Sequence, residues 1–324
     1  MKIIEQSFQI IDEYEKRGAI LEQIERCGRI CYKSEDRISS GSAEKFITGI
    51  IERGHESVLE MAQLVFEIVL DAETPMVKFF EIIPSFCRSS RLDRKRFILS
   101  GNPRVFRDLA RAYGNLKVVK AILGLLTDRY PVLFSDIAFG GGRRSRWMPQ
   151  TGISVRLMTP DEISSLPQDI LIRHKTILIH LVTNRAVSHE LVRHRVASYL
   201  QESQRYCRYG EARFGGELVF IRPCFYEEGT REYEIWLKAM AEGERSYLEL
   251  LKTSSPQAAR TVLPNSCKTE IMVHAAIDEW MHITRLRASK AADPSMREIM
   301  LKILSELVCR YPDIFGLIAQ GLGL

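Results

Sequence analysis

Apolar side chains recur every three or four residues between Tyr14 and Ser34, where Ile20, Leu21, Ile24, Cys27 and Cys31 form one stripe. That period marks an amphipathic helix. A second helix is predicted over "SAEKFITGIIERGHES", with Ser42 as its N-cap and Glu44 in the first turn. Phe46, Ile47, Ile50 and Ile51 supply its buried stripe, and Gly54 falls where a C-terminal glycine usually ends a helix. The period then shortens to two. In "LVFEIVL", Leu64, Phe66, Ile68 and Leu70 alternate with Val65, Glu67 and Val69, which predicts a strand.

The next hundred residues are rich in arginine and carry short helical patterns, "RVFRDLARAY" and "LKVVKAILGLLTDRY". The glycine-rich loop "FGGGRRSRWMPQTG" follows. It lacks the lysine and downstream Ser/Thr of a phosphate-cradling loop, so it reads as a solvated loop or a surface for a polyanion. "ILIRHKTILIHLVTN" returns to strand, and "ELVFIRP" is another short one. From Glu232 onward the pattern predicts helix almost throughout: "EYEIWLKAMAEGERSYLELLK", "SPQAARTVLP" with Pro256 near its first turn, "CKTEIMVHAAIDEWMHITRLR" and "PSMREIMLKILSELVCRY". The whole predicts an α+β fold, a small sheet packed against helices.

Composition narrows this little. The chain has 324 residues, ordinary hydrophobic content and a net charge of +5, which permits anionic partners without requiring nucleic acid. Its seven cysteines are odd in number and widely spaced, so a disulfide framework is not expected. Cys27 and Cys31 lie four apart, but no second close Cys or His pair completes a metal site, and none is expected. The N-terminal stretch has no signal-peptide core, and no apolar run reaches membrane-spanning length. A soluble cytoplasmic protein with no membrane partner is expected.

The stretch "RHRVASYLQES" changes the picture. It places Arg193, His194 and Arg195 side by side, and "SQRYCRY" follows closely. Buried and unpaired, such cations cost several kcal/mol each. If both segments are extended, Arg193 and Arg195 share one face, and Gln201, Ser203 and Arg205 share another. Such a set of guanidinium forks, hydroxyl and amide suits a phosphate and a polar ring. The bland alternative is a solvated turn with structural ion pairs, such as Arg193 with Glu190, in which Glu190 and Glu202 neutralise much of the cluster. The charges by themselves leave both readings open.

The spacing Arg-His-Arg, seven residues, then Ser, here Arg193-His194-Arg195 and Ser203, resembles the signature of flavin-dependent thymidylate synthases. "RICYKSEDRIS", "RGHESVLE", "PQAARTVLPNSCKTEI" and "WMHITRLRASKAADPSMREI" resemble other segments of that family, in the same order. The stretch at about residues 71–170 looks like an insertion of unassigned role in a single domain spanning 1–324. The resemblance implies a small, mostly antiparallel sheet packed against long helices. It also implies FAD-dependent reductive methylation of dUMP to dTMP, with methylenetetrahydrofolate and NADPH as co-substrates and a homotetramer as the working assembly.

Carried over by position, the resemblance implies that Glu190, Arg193, Gln201, Ser203, Arg205, Arg260 and Arg287 bind dUMP. Arg287 would also be catalytic, favouring ionisation of the uracil ring. His55, Ser57, Arg193, His194, Arg195 and His282 would contact FAD. The chain departs from the family pattern at Leu200, at Met61, and at Ala276-Ile277-Asp278, where the family has Asn-x-Arg. Two other readings follow: a nucleotide-binding protein on the same fold without flavin chemistry, and a basic nucleic-acid-binding protein using "GGGRRSRW", the arginines of the insertion and aromatics such as Trp147.

Overall fold

Ile271, Met272 and Val273 are successive residues with no exposed surface, and they mark the centre of a sheet. The computed structural model describes residues 1–16, 19–70, 83–84, 86–137, 152–211 and 214–324. The glycine-rich loop up to Thr151, Trp147 included, lies outside the described residues. The chain divides into two compact units: Met1–Ile11 with Gly28–Glu35 and Leu178–Leu324, and Asp12–Cys27 with Asp36–Ile177. Helices mix with antiparallel strands and one parallel pair, Lys2–Ile4 with Val219–Ile221, so the fold is α+β.

In the first unit, four strands lie in the order Ser7–Ile11, Thr176–Asn184, Lys268–Ala276, Ala197–Gln201. Lys268–Ala276 runs antiparallel to Ala197–Gln201, with Ile271 opposite Gln201 and Ala275 opposite Ala197. Ser7–Ile11 runs antiparallel to Leu178–Val182. The sequence pattern predicted helix across the whole of "CKTEIMVHAAIDEWMHITRLR", and this is corrected: Lys268–Ala276 is strand, and helix begins at Ile277. A strand covered on both faces reads as an unbroken apolar run, which periodicity cannot tell from a buried helix.

The predicted Glu232 helix is Arg231–Leu250, capped by the Thr230 hydroxyl, which accepts from the Tyr233 N–H. Its buried Tyr233, Trp236, Met240 and Tyr247 pack with Leu218 and Phe220. The Pro294–Arg310 helix is capped by Asp293. It is tied to the segment before the first sheet strand by the Gln6 amide, which donates to the Ser295 carbonyl at 2.9 Å. A last helix, Pro312–Gly321, was not anticipated.

In the second unit, strands lie in the order Arg88–Arg91, Arg96–Gly101, Leu64–Leu70, Ile153–Leu157, all neighbours antiparallel. Leu64–Leu70 is the strand the alternation predicted. The Ser42–Glu52 helix forms, but Gly41 rather than Ser42 is its N-cap, at φ 77°. The Ser42 hydroxyl donates to Glu25 at 2.7 Å instead. Gly54, at φ 70°, closes the helix: its N–H donates to the Ile51 carbonyl and the His55 N–H to the Ile50 carbonyl. That paired arrangement satisfies two otherwise orphaned carbonyls.

"ILIRH" is also corrected from strand to helix, Gln168–His174, with the strand starting only at Thr176. Pro167 precedes the first turn, where a missing N–H costs nothing. The arginine-rich stretch forms the helices Pro103–Tyr113 and Lys117–Arg129. The former starts where the Asn102 side chain accepts from the Val105 N–H at 2.9 Å.

Candidate functional site

The Thr176–Asn184 strand ends in a cap that starts the site. The Asn184 side chain accepts from the Val187 N–H at 2.8 Å and opens the short helix Arg185–Leu191. Arg193 and His194 leave the end of that helix in a turn, their N–H groups donating to the carbonyls of Glu190 and Leu191. They are therefore not extended, and a regular strand begins only at Ala197. Gln201 to Arg205 are not extended either. The strand stops at Gln201, and the Ser203 carbonyl accepts from the N–H groups of Tyr206 and Cys207 in a turn.

This turn sends Arg193 and Arg195 to solvent and buries His194, which is 7% exposed. Arg287, in the last turn of the Ile277–Arg287 helix, meets it there. The Arg287 Nε donates to His194 Nε2 at 2.9 Å, and its Nη1 donates to Glu190 Oε2 at 2.6 Å. The His282 ring stands edge-on to His194 with centroids 5.7 Å apart. Burial, then the charges of Arg287, His282 and Arg195, push the His194 imidazole down to about 4. Glu190, His194, His282 and Arg287 are thus brought together from segments distant in sequence.

Arg195 folds back, its Nη1 donating to the His194 carbonyl at 2.9 Å. The Tyr199 hydroxyl donates to the same carbonyl at 3.2 Å, a role the sequence reading missed. The Gln201 amide donates to the Ser188 hydroxyl at 2.8 Å and the Thr269 hydroxyl at 3.0 Å. The Ser203 N–H donates to the Cys31 carbonyl at 3.0 Å. Arg205 is exposed, with its guanidinium 5.7 Å from the Tyr206 ring centre. Arg260 is half-buried at the start of a short 3₁₀ turn, Arg260–Val262. Burial pushes the guanidinium of Arg185 down, and the charge of Arg260 adds to that. Arg185 is a cation the sequence reading did not single out.

Glu190 pairs with Arg287 and not with Arg193, so the bland ion-pair reading of the arginine run is corrected. Glu202 does not neutralise that run either. It is 2% exposed and accepts from Lys268 Nζ at 2.8 Å. Lys268 also reaches Glu270 at 2.6 Å, as do Lys33 and, at 3.0 Å, His180. Burial works against ionisation of Glu270, yet His180, Lys268 and Lys33 hold its carboxyl far below the ordinary range. Glu202, Lys33 and Lys268 line a cavity of about 260 Å³ together with Tyr209, Phe214 and Cys267. The signal was present in "CKTE", whose Lys268 and Glu270 sit two apart and share a strand face.

His55 and Ser57 belong to the second unit, where both are exposed on either side of the half-buried Glu56. Among the described residues no cluster of His, Cys, Asp and Glu suits a metal ion, and no helix is long and apolar enough to cross a membrane.

The donor set suits an anion. Among the described residues Arg193, Arg205 and Arg260 have no carboxylate partner, unlike Arg287. Unpaired guanidinium groups suit the phosphates of FAD and of a nucleotide equally well. Next to Arg193 in the chain, the neutral His194 is held against Arg287. What the residues define is an α+β protein with guanidinium groups left over for an anion.

The family model described as thymidylate synthase complementing protein, Thy1, matches residues 17–73 and 167–313, and the chain belongs to this family. It is similar to the flavin-dependent thymidylate synthase of Pyrococcus abyssi, 34% identical over 175 residues, which cover 51% of this chain and 71% of that protein. The flavin-dependent thymidylate synthase of Pyrococcus furiosus is 34% identical over 163 residues, 48% of this chain and 66% of that protein. The corresponding protein of Corynebacterium glutamicum is 34% identical over 149 residues, 41% of this chain and 57% of that protein.

Proposed function

We propose that this chain is a flavin-dependent thymidylate synthase, converting dUMP to dTMP with FAD, NADPH and methylenetetrahydrofolate. The observation that supports the reading is Arg287, held by Glu190 and His194 at the end of the arginine run. FAD, when bound, relays the reducing equivalents from NADPH.

The chain's own residues do the rest. Arg193, Arg205 and Arg260 bind phosphate, and Gln201 and Ser203 present an amide and a hydroxyl to dUMP. Glu190 holds the Arg287 guanidinium through its carboxylate on Nη1 and its main-chain carbonyl on Nη2, which orients the cation beside the pyrimidine. A cation preorganised at that place stabilises the ring anion as it forms, which is the most effective way for a protein to lower such a barrier. His194 takes no proton near neutrality and so adds no cation to the cluster. His55, Ser57, Arg193, His194, Arg195 and His282 form the FAD-contacting set.

The assembly proposed is a cytoplasmic homotetramer on the fold of the flavin-dependent thymidylate synthases, with Arg260 offered to a neighbouring subunit's site. The stretch at about residues 71–170, most of which falls between the two matched blocks, is proposed as an insertion in a single synthase-like domain. Asp278, in the first turn of its helix, keeps a second reading in play, because the resemblance placed Arg there: a nucleotide-binding protein without flavin.

The test is direct. Purified protein is expected to be yellow, to release FAD on denaturation, and to form dTMP from dUMP. A colourless protein that binds dUMP and takes up no flavin on soaking overturns the synthase reading in favour of the second.

A further inference from the structure

The Pro103–Tyr113 helix lies wholly within the stretch the family model does not match. Its Arg104, Arg107 and Arg111, spaced three and four apart, share one face. All three pair with two glutamates of one 3₁₀ helix, Glu56–Met61, and Arg104 and Arg111 also pair with Asp108. Arg104 donates to Glu60. Arg107 Nη2 donates to Glu56 Oε1 at 3.0 Å, and Arg111 Nη1 donates to Glu56 Oε2 at 2.9 Å. Arg107 has no exposed side-chain surface and also meets Asp136, which accepts from its Nη1 at 2.7 Å, while its Nε is buried with no partner among the described residues.

A buried guanidinium is stable only with such partners, and removing one partner strands the rest. This makes the junction stiff. Glu56 lies between His55 and Ser57, so whatever fixes its carboxylate fixes the backbone on both sides. From the other direction, the His55 N–H is fixed by the Ile50 carbonyl at 3.0 Å. A helix extraneous to the family pattern therefore holds the segment that opens with the "GHES" motif.

We propose that the Pro103–Tyr113 helix is a positioning device for flavin: through Arg107 and Arg111 it holds Glu56, and with it His55 and Ser57, in the geometry that binds FAD. The inference rests on the reading that His55 and Ser57 contact FAD. Arg107 and Arg111 are positioning residues and touch no ligand themselves.

The experiment uses the full chain. FAD affinity is measured by flavin fluorescence titration, and dUMP affinity by calorimetry at saturating FAD, for Glu56→Gln, Arg111→Ala and Arg111→Lys. Arg111 is partly exposed, so its variants keep the test decisive even where Arg107 variants fail to fold. Glu56→Gln and Arg111→Ala are expected to raise the FAD dissociation constant roughly tenfold, the scale of one charge-assisted hydrogen bond. Arg111→Lys is expected to restore most of that loss, and dUMP affinity is expected to hold in all three. Unchanged FAD affinity in Glu56→Gln and Arg111→Ala overturns the proposal. Equal weakening of FAD and dUMP also overturns it, since general loosening spares neither ligand. His55→Ala separates this proposal from the reading beneath it. Loss of FAD affinity there, with none in the clamp variants, sinks the clamp alone. No loss there sinks the assignment of the segment to flavin and the proposal with it.

Discussion

Arg287 Nε donates to His194 Nε2 at 2.9 Å, a bond that spans 93 positions of sequence and decides which imidazole nitrogen carries the proton. A guanidinium only donates, so Nε2 must accept, and the neutral ring keeps its proton on Nδ1.

The first prediction is spectroscopic. In ¹⁵N NMR of histidine-labelled protein, His194 is expected to show the Nδ1–H tautomer at pH 7. It is expected to titrate only near pH 4, because burial and the adjacent Arg287 charge hold it down. Arg287→Ala removes both the donor and the charge, so the midpoint is expected to rise toward 6.5.

The second concerns turnover. Arg287→Ala is expected to lower dTMP formation by about 10²–10³-fold, the usual cost of removing a preorganised transition-state partner. FAD is expected to stay bound. Steady-state assays beside flavin content measure both, and full turnover in this variant removes Arg287 from catalysis.

The third is stability against pH. The folded pKa of His194 lies below its ordinary 6.5, so the unfolded chain takes up a proton first as pH falls. Its contribution is present above 6.5 and is lost as pH falls toward about 4. Glu56 acts in the same direction in a lower window. The Arg111 hydrogen bond leads in lowering its carboxyl to about 2, with Arg107 adding to it, so its contribution is lost between about 4.5 and 2. Urea denaturation across pH is expected to show stability falling in both windows, with the lower fall smaller in Glu56→Gln.

The fourth addresses the buried ion cluster. Lys268→Met leaves Glu202 without its 2.8 Å partner in a site that is 2% exposed. Breaking one member of such a pair costs about 3–5 kcal/mol. Denaturant midpoints are expected to show that loss. The double variant Lys268→Met, Glu202→Leu is expected to recover much of it, since no charge is then stranded.

How much of this the sequence disclosed depends on range. Leu64–Leu70 was legible because one face alternates in hydrophobicity. Lys268–Ala276 was not, because a strand covered on both sides loses that alternation and imitates a buried helix. The Arg-His-Arg run was legible as chemistry but not as geometry. Nothing local says that a helix end turns Arg193 outward and His194 inward. The Glu190–Arg287 pair and the Arg107–Glu56 pair, 97 and 51 positions apart, were invisible because charge complementarity carries no period.

The cluster of Lys33, Lys268, Glu202 and Glu270 has a bearing on how the chain finds its pairing. The apolar part of Lys268–Ala276, Ile271 to Val273 with Ala275 and Ala276, would by itself tolerate sliding along Ala197–Gln201. A slip of one residue would swing Lys268 to the opposite face and maroon Glu202 in the interior. These ions therefore act as an index mark: only one alignment of the two ribbons lets every charge meet its opposite.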